Sequence, residues 1–140
     1  KEDIPLSQAQ ADAIIAQISA KENATFTLVE VVFVDEKEIV RINKEHLGRN
    51  YITDIISFRY DDEAEKPAED NLAIEGTLFC CAPRIKEQAG EFGQAIDVEF
   101  RRILIHGLLH LIGYEDSTEE EKSAMTALED FYLKRSSTNK

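Results

Sequence analysis

His106 and His110 stand four residues apart in the run His106-Gly107-Leu108-Leu109-His110-Leu111-Ile112-Gly113-Tyr114-Glu115-Asp116. On a helix that spacing puts both imidazoles on one side, roughly 6 Å apart along the axis, within reach of one metal ion. Gly113 then stands where a helix ends in a left-handed turn. Asp116, three residues on, returns a carboxylate towards the two rings. Two nitrogens and one oxygen from a helix and the turn after it make a three-ligand site with one coordination position left for water. Histidines spaced by four occur by chance in many helices; the glycine stop and the carboxylate are what add meaning here. The chain has three histidines, and two of them lie in this run.

Neutral imidazoles with a carboxylate suit Zn2+ first, and iron or nickel as alternatives. An ion held this way keeps positive charge, lowers the pKa of its bound water towards about 7, and polarises a phosphoryl or carbonyl oxygen. A metallopeptidase helix carries glutamate directly after its first histidine as general base. Here that position is Gly107, so a peptidase would need Glu115 or Glu99 instead. Gly107 admits either a close backbone or substrate approach or tight helix packing. Glu99 lies two turns before His106 on the same side, as a base or as a carboxylate that orients a ligand. Glu115 is the alternative third ligand to Asp116. His46 reads as an ordinary helix-face histidine.

These residues need elements to hold them. An amphipathic helix is expected over about 7–19, with Ala11, Ile14, Ile15 and Ile18 as its apolar stripe. Residues 25–34 are β-branched and aromatic, a strand. Asp35 and Glu38 form a capping box for a second helix that Gly48 stops. Its Lys37, Arg41 and Lys44 share a face, read as solvated, with a phosphate-facing stripe as the alternative. Short strands are expected over 53–60 and 71–81, separated by an acidic loop at 61–70. Pro83 opens a helix closed by Gly90 and Gly93. Asp97 opens the histidine helix, whose buried stripe is Phe100, Ile103, Leu104, Gly107, Leu108 and Leu111. Ser117 and Glu120 cap a last helix to about Lys134 that packs through Ala124, Met125, Leu128, Phe131 and Tyr132. Residues 136–140 read as a frayed tail. The fold class expected is α+β, a single mixed β-sheet packed with helices, the histidine helix at its centre, in one domain over 1–140.

At 140 residues the chain is long enough to bury a core. Its net charge of −12 argues against nonspecific nucleic-acid binding, so an RNA-acting protein of this composition needs a local groove or a partner that delivers substrate. Cys80 and Cys81 are adjacent, point to opposite faces of a strand and cannot pair with each other in an ordinary disulfide. Their use fits a reducing, cytoplasmic setting. No signal peptide or membrane-length apolar run is legible.

From about residue 25 to 132 the chain resembles the YbeY family, bacterial rRNA maturation factors described as metal-dependent single-strand endoribonucleases. Ile42-Asn43 is similar to the family's Leu-Asn, and Thr53-Asp54-Ile55-Ile56-Ser57-Phe58 to its Thr-Asp-Val-Leu-Ser-Phe. The stretch from His106 to Tyr114 resembles its signature helix, and Met125 with Glu129 its final Met-x-x-x-Glu. There are departures. The family's third histidine is Asp116 here, its arginine aligns with Leu47, its Gly-Asp reads Gly76-Thr77, and a proline reads Ile52.

The resemblance implies cleavage of RNA phosphodiesters in rRNA maturation, with His106, His110 and Asp116 on metal. The nucleophile is a metal-activated water or 2′-hydroxyl. Arg49 and Arg59 are the candidate phosphate contacts, and Thr53, Asp54 and Ser57 shape the wall. RNA, as rRNA or a ribosomal subunit, is the expected partner, with a ribosomal protein or GTPase as a further one; no DNA and no membrane are expected. The rivals are a peptidase-like metallohydrolase and a zinc-stabilised, ribosome-associated binding factor without nuclease activity. An acidic protein of the latter kind would be steered to a basic partner.

Overall fold

The structure, a computed structural model, describes residues 4–60 and 72–137. The expected acidic loop at 61–70 and the tail beyond 137 lie outside the described residues.

Chain order is α1 (Gln8–Glu22), β1 (Ala24–Val34), α2 (Glu36–Leu47), β2 (Ile55–Arg59), β3 (Leu72–Cys81), α3 (Ala82–Phe92), α4 (Ile96–Ile112) and α5 (Glu119–Ser137). The sheet order is β1-β3-β2, with β1 parallel and β2 antiparallel to β3. The fold is α+β around a mixed sheet. Alternation along the strands divides the core into two faces. Ile74, Leu78 and Cys80 turn to the large cluster that includes Ile14 and Ile18 of α1, Ile85 of α3, Phe100 to Leu111 of α4, and Met125 and Tyr132 of α5. Ile56 and Cys81 turn to the opposite face, against Ile39 and Ile42 of α2. The two cysteines are both free and buried, one on each face.

Burial on α4 extends well beyond the expected stripe. Ile105, Leu109, Glu99 and Arg101 are buried as well, because α1, α3, α5 and the sheet all pack on this helix. Each fully buried leucine or isoleucine contributes about 1.5–3 kcal/mol. Gly107 is a packing glycine: a Cβ there would lie 2.6 Å from Ile55 Cδ1 and 3.1 Å from Leu78. The close approach it permits is that of the sheet rather than of a substrate. Gly76 has the same role in β3, where a Cβ would run into the Phe58 carbonyl oxygen and approach Leu111 at 3.0 Å.

Several local expectations are corrected. Asp35 caps α2 through the Glu38 N–H, but the Glu38 carboxylate turns to Arg41, so the box is half-formed. That pairing, with Glu45 on the other side of Arg41, makes the basic face of α2 a solvated one. The cap of α5 falls one residue later than expected. Thr118 Oγ1 accepts from the Glu121 N–H, and Glu121 accepts from the N–H groups of Ser117 and Thr118. Glu121, not Glu120, closes the box, since the helix needs its carboxylate three positions after the capping residue. Ala124, expected to pack on the core, faces solvent. Gly90 lies inside α3, and Gly93, at φ 66°, ends it. Ala95, rather than Asp97, is the residue at the mouth of α4, with Asp97 in the first turn. Ser136 is helical, with its hydroxyl donating to Leu133 O and accepting from Arg101.

Candidate metal centre

His106 and His110 lie one turn apart near the C-terminal end of α4, with ring centroids 4.6 Å apart. Gly113, at φ 129°, ends the helix, and its N–H meets the carbonyls of Leu109 and His110. The chain turns back from there. Tyr114 N–H also returns to Leu109 O, Glu115 is exposed, and Asp116 reaches the two rings. The Asp116 carboxylate oxygen lies 3.5 Å from His106 Nε2 and 3.6 Å from His110 Nε2. One donor atom from each of the three residues lies within 4.8 Å of the other two.

These distances fit an ion. Donors at about 2.0–2.1 Å in tetrahedral array stand about 3.3–3.4 Å from one another. The second nitrogen of His106 is also committed: Nδ1 is 2.6 Å from Glu129 Oε2, on α5. That bond directs Nε2 to the donor cluster, as carboxylate–histidine pairs do around metals. Burial would lower the His106 pKa. The Glu129 bond, with Asp116 and Asp54 nearby, outweighs burial and raises it above the ordinary histidine value.

Glu129 is thus the carboxylate that orients a histidine, a role expected for Glu99. Glu99 instead accepts from Gln88 Nε2 at 3.1 Å, and its other oxygen is buried without a hydrogen-bond partner. It is 2% exposed, and burial raises its pKa despite the Gln88 bond and the nearby Arg102. Sequence separation hides the Glu129–His106 pair, whose only signal is the Met125-x-x-x-Glu129 resemblance.

Two clefts meet at the histidines. One, of about 450 Å³, is lined by Leu47, Asp54, Ser57, Arg59, His110 and Asp116, among others. The other, of about 320 Å³, is lined by Asp54, Phe92, Glu99, Arg102, His106 and Lys122, among others. Arg59 Nη1 donates to Leu111 O at 2.8 Å, tying β2 to the last turn of α4. Arg49 is exposed just beyond α2, outside both linings. Thr77, at the position of the family aspartate, is buried and hydrogen-bonds Tyr60 Oη and Glu30. Leu47 is exposed at the cleft rim, leaving no charge there. His46 packs its ring edge on Phe58 at 5.0 Å, on the α2 side of the sheet.

Fold and site define an α+β protein with an open three-donor centre of the kind found in metallohydrolases. The family model described as Endoribonuclease YbeY matches residues 1–137. The chain belongs to that family, a family of hydrolases. It is 34% identical over 122 residues to Endoribonuclease YbeY of Chlorobaculum tepidum, covering 87% of this chain and 83% of the relative. It is 37% identical to the Bacillus pumilus protein of the same name, covering 94% and 85%. The solution structure of TM1509 from Thermotoga maritima shares the fold, with a TM-score of 0.61 at 24% identity over 91% of this chain and 79% of that one. Among the described residues no helix is long and apolar enough to cross a membrane.

Proposed function

We propose that this chain is a zinc-dependent endoribonuclease that cuts single-stranded RNA in rRNA maturation and ribosome quality control, in the cytoplasm. The observation that carries this reading is the meeting of His106, His110 and Asp116, an Asp116 oxygen lying 3.5 and 3.6 Å from the two Nε2 atoms, in a chain whose relatives are named endoribonucleases. When bound, zinc supplies Lewis-acid activation of water and of a phosphoryl oxygen.

The protein's own groups divide the remaining work. Glu129 holds the Nδ1 proton of His106 and so keeps Nε2 free to ligate. Arg59, anchored on Leu111 O, lines the cleft as the candidate phosphate contact, with Arg49 a second candidate. Glu99, whose burial favours the protonated form, would hold a proton beside the cleft rather than grip the ion.

Metal content of purified wild-type protein beside Asp116→Ala, and cleavage of a single-stranded RNA by wild type beside His110→Ala, test the assignment. One ion per chain in wild type, lost in Asp116→Ala, with cleavage lost in His110→Ala, is the expected result. Equal cleavage by both proteins would trace the activity to a contaminant. Product ends name the nucleophile: a 2′,3′-cyclic phosphate marks attack by the neighbouring 2′-hydroxyl.

The net charge of −12 favours one second reading, a ribosome-associated factor whose zinc is structural, docked on a basic ribosomal protein or GTPase. Under it, chelation lowers the melting temperature while ribosome association persists in His110→Ala.

A further inference from the structure

Phe92 ends α3 with 64% of its surface exposed. It lines the smaller cleft together with His106 and Asp116. Exposing a phenylalanine costs apolar surface in water, and here that surface borders the candidate metal centre. The same cleft carries two cations. Arg102 is committed to Glu129 and Asp130, at 2.9 and 2.7 Å. Lys122, exposed on α5, forms no ion pair among the described residues. The cleft also carries the carboxyl groups of Asp54, Glu99, Asp116 and Glu129, and Lys122 is the cation in its lining that no ion pair among the described residues takes up.

We propose that Phe92 and Lys122 form a subsite for one unpaired nucleotide next to the scissile phosphate, the ring stacking on its base and the ammonium meeting its phosphate. The assignment rests on the endoribonuclease reading and deepens it. Aromatic rings accept any base face, so this subsite selects single strands without selecting sequence. A base held in a duplex cannot be splayed onto the ring, so paired RNA is excluded by geometry rather than by charge. Lys122 contributes one phosphate contact, which is local enough to work against an unfavourable overall field.

The test uses the full chain in chelating buffer, so that binding is read without cleavage, with a fluorescein-labelled single-stranded RNA and anisotropy. Phe92→Ala weakens binding roughly 5- to 100-fold, and Phe92→Trp restores it. An abasic position scanned along the RNA reproduces that loss at one place in wild type and adds nothing further in Phe92→Ala. Lys122→Ala lowers the slope of log affinity against log salt by about 0.7, the value for one phosphate on a single strand. With metal restored, Phe92→Ala raises KM and leaves kcat within about threefold. Both positions are exposed, and matching melting temperatures for variants and wild type exclude unfolding. Wild-type affinity in Phe92→Ala, or an abasic penalty that persists in it, overturns the subsite while cleavage by wild type keeps the endoribonuclease reading. A wild-type protein that neither binds nor cleaves RNA overturns both.

Discussion

Glu129 has two bonds to keep, one to His106 Nδ1 and one to Arg102, and it is nearly fully buried. Glu129→Gln keeps the shape and removes the charge, so the imidazole is left with a neutral amide in place of the charged acceptor that fixes its tautomer. We expect metal affinity to fall about 10- to 100-fold, read by competition against a chelator, with the circular dichroism spectrum unchanged. Unaltered affinity would mean that the His106–Glu129 bond serves packing alone. The convergence of the three candidate donors was legible in the sequence because two of them share a helix face and the third follows a glycine stop; that is local information. Glu129 was not, because it meets His106 across an interface between α4 and α5 that no spacing rule encodes. Glu99 does not touch His106 for the complementary reason. Same-side placement on a helix says where a side chain starts, and the packing of α3 against α4 decided that it would face Gln88.

The elements themselves were read mainly from periodicity and punctuation. Gly48 for α2, Gly93 for α3 and Gly113 for α4 all stand at helix ends in the structure. Ends slipped where two plausible caps were adjacent, as at Ser117 and Thr118, since either hydroxyl satisfies the local pattern and only the turn from Asp116 chooses. The sheet order was not legible, because β2 and β1 could each have taken the middle. What permits β3 to sit there is a small residue where β2 crosses α4. Gly76 pairs with Arg59, and a methyl group there meets the Phe58 carbonyl and Leu111. Gly76→Ala is expected to cost about 1–3 kcal/mol in urea denaturation, the usual penalty for overpacking. Backbone cannot swing aside as a side-chain tip can. A variant as stable as wild type would show that β2 is free to move outward, and with it Arg59.

At the scale of the molecule, Glu22 at the end of α1 ties distant parts together. Its two oxygens accept from Tyr114 Oη and Tyr132 Oη, each at 2.6 Å. Tyr114 lies two residues before Asp116, so the clamp reaches the turn that carries the third donor. The Glu22 bond and burial push the Tyr114 pKa up from 10.0 to about 12, and burial with the same carboxylate raises that of Tyr132. Both phenols are held protonated in the folded state more firmly than in the unfolded one. Their contribution to stability is therefore fully present below pH 10 and is lost as pH rises towards 12, because the unfolded chain releases its protons first. Denaturation midpoints between pH 9 and 11 should fall, and Glu22→Gln should flatten that fall while costing about 1–3 kcal/mol at neutral pH. A pH-independent midpoint in wild type would remove the clamp from the list of stabilising contacts.

The parallel pairing of β1 with β3 has a kinetic consequence. Ala24 meets Leu72 and Val34 meets Cys81, so the chain must close a long loop through α2 and β2 before these backbone bonds repay the lost entropy. During that wait the edge of β3 that β1 will cover is bare to other copies. Refolding from denaturant should run on the slow side for a chain of this size, with recovery that declines as protein concentration rises, whether or not any ion is supplied.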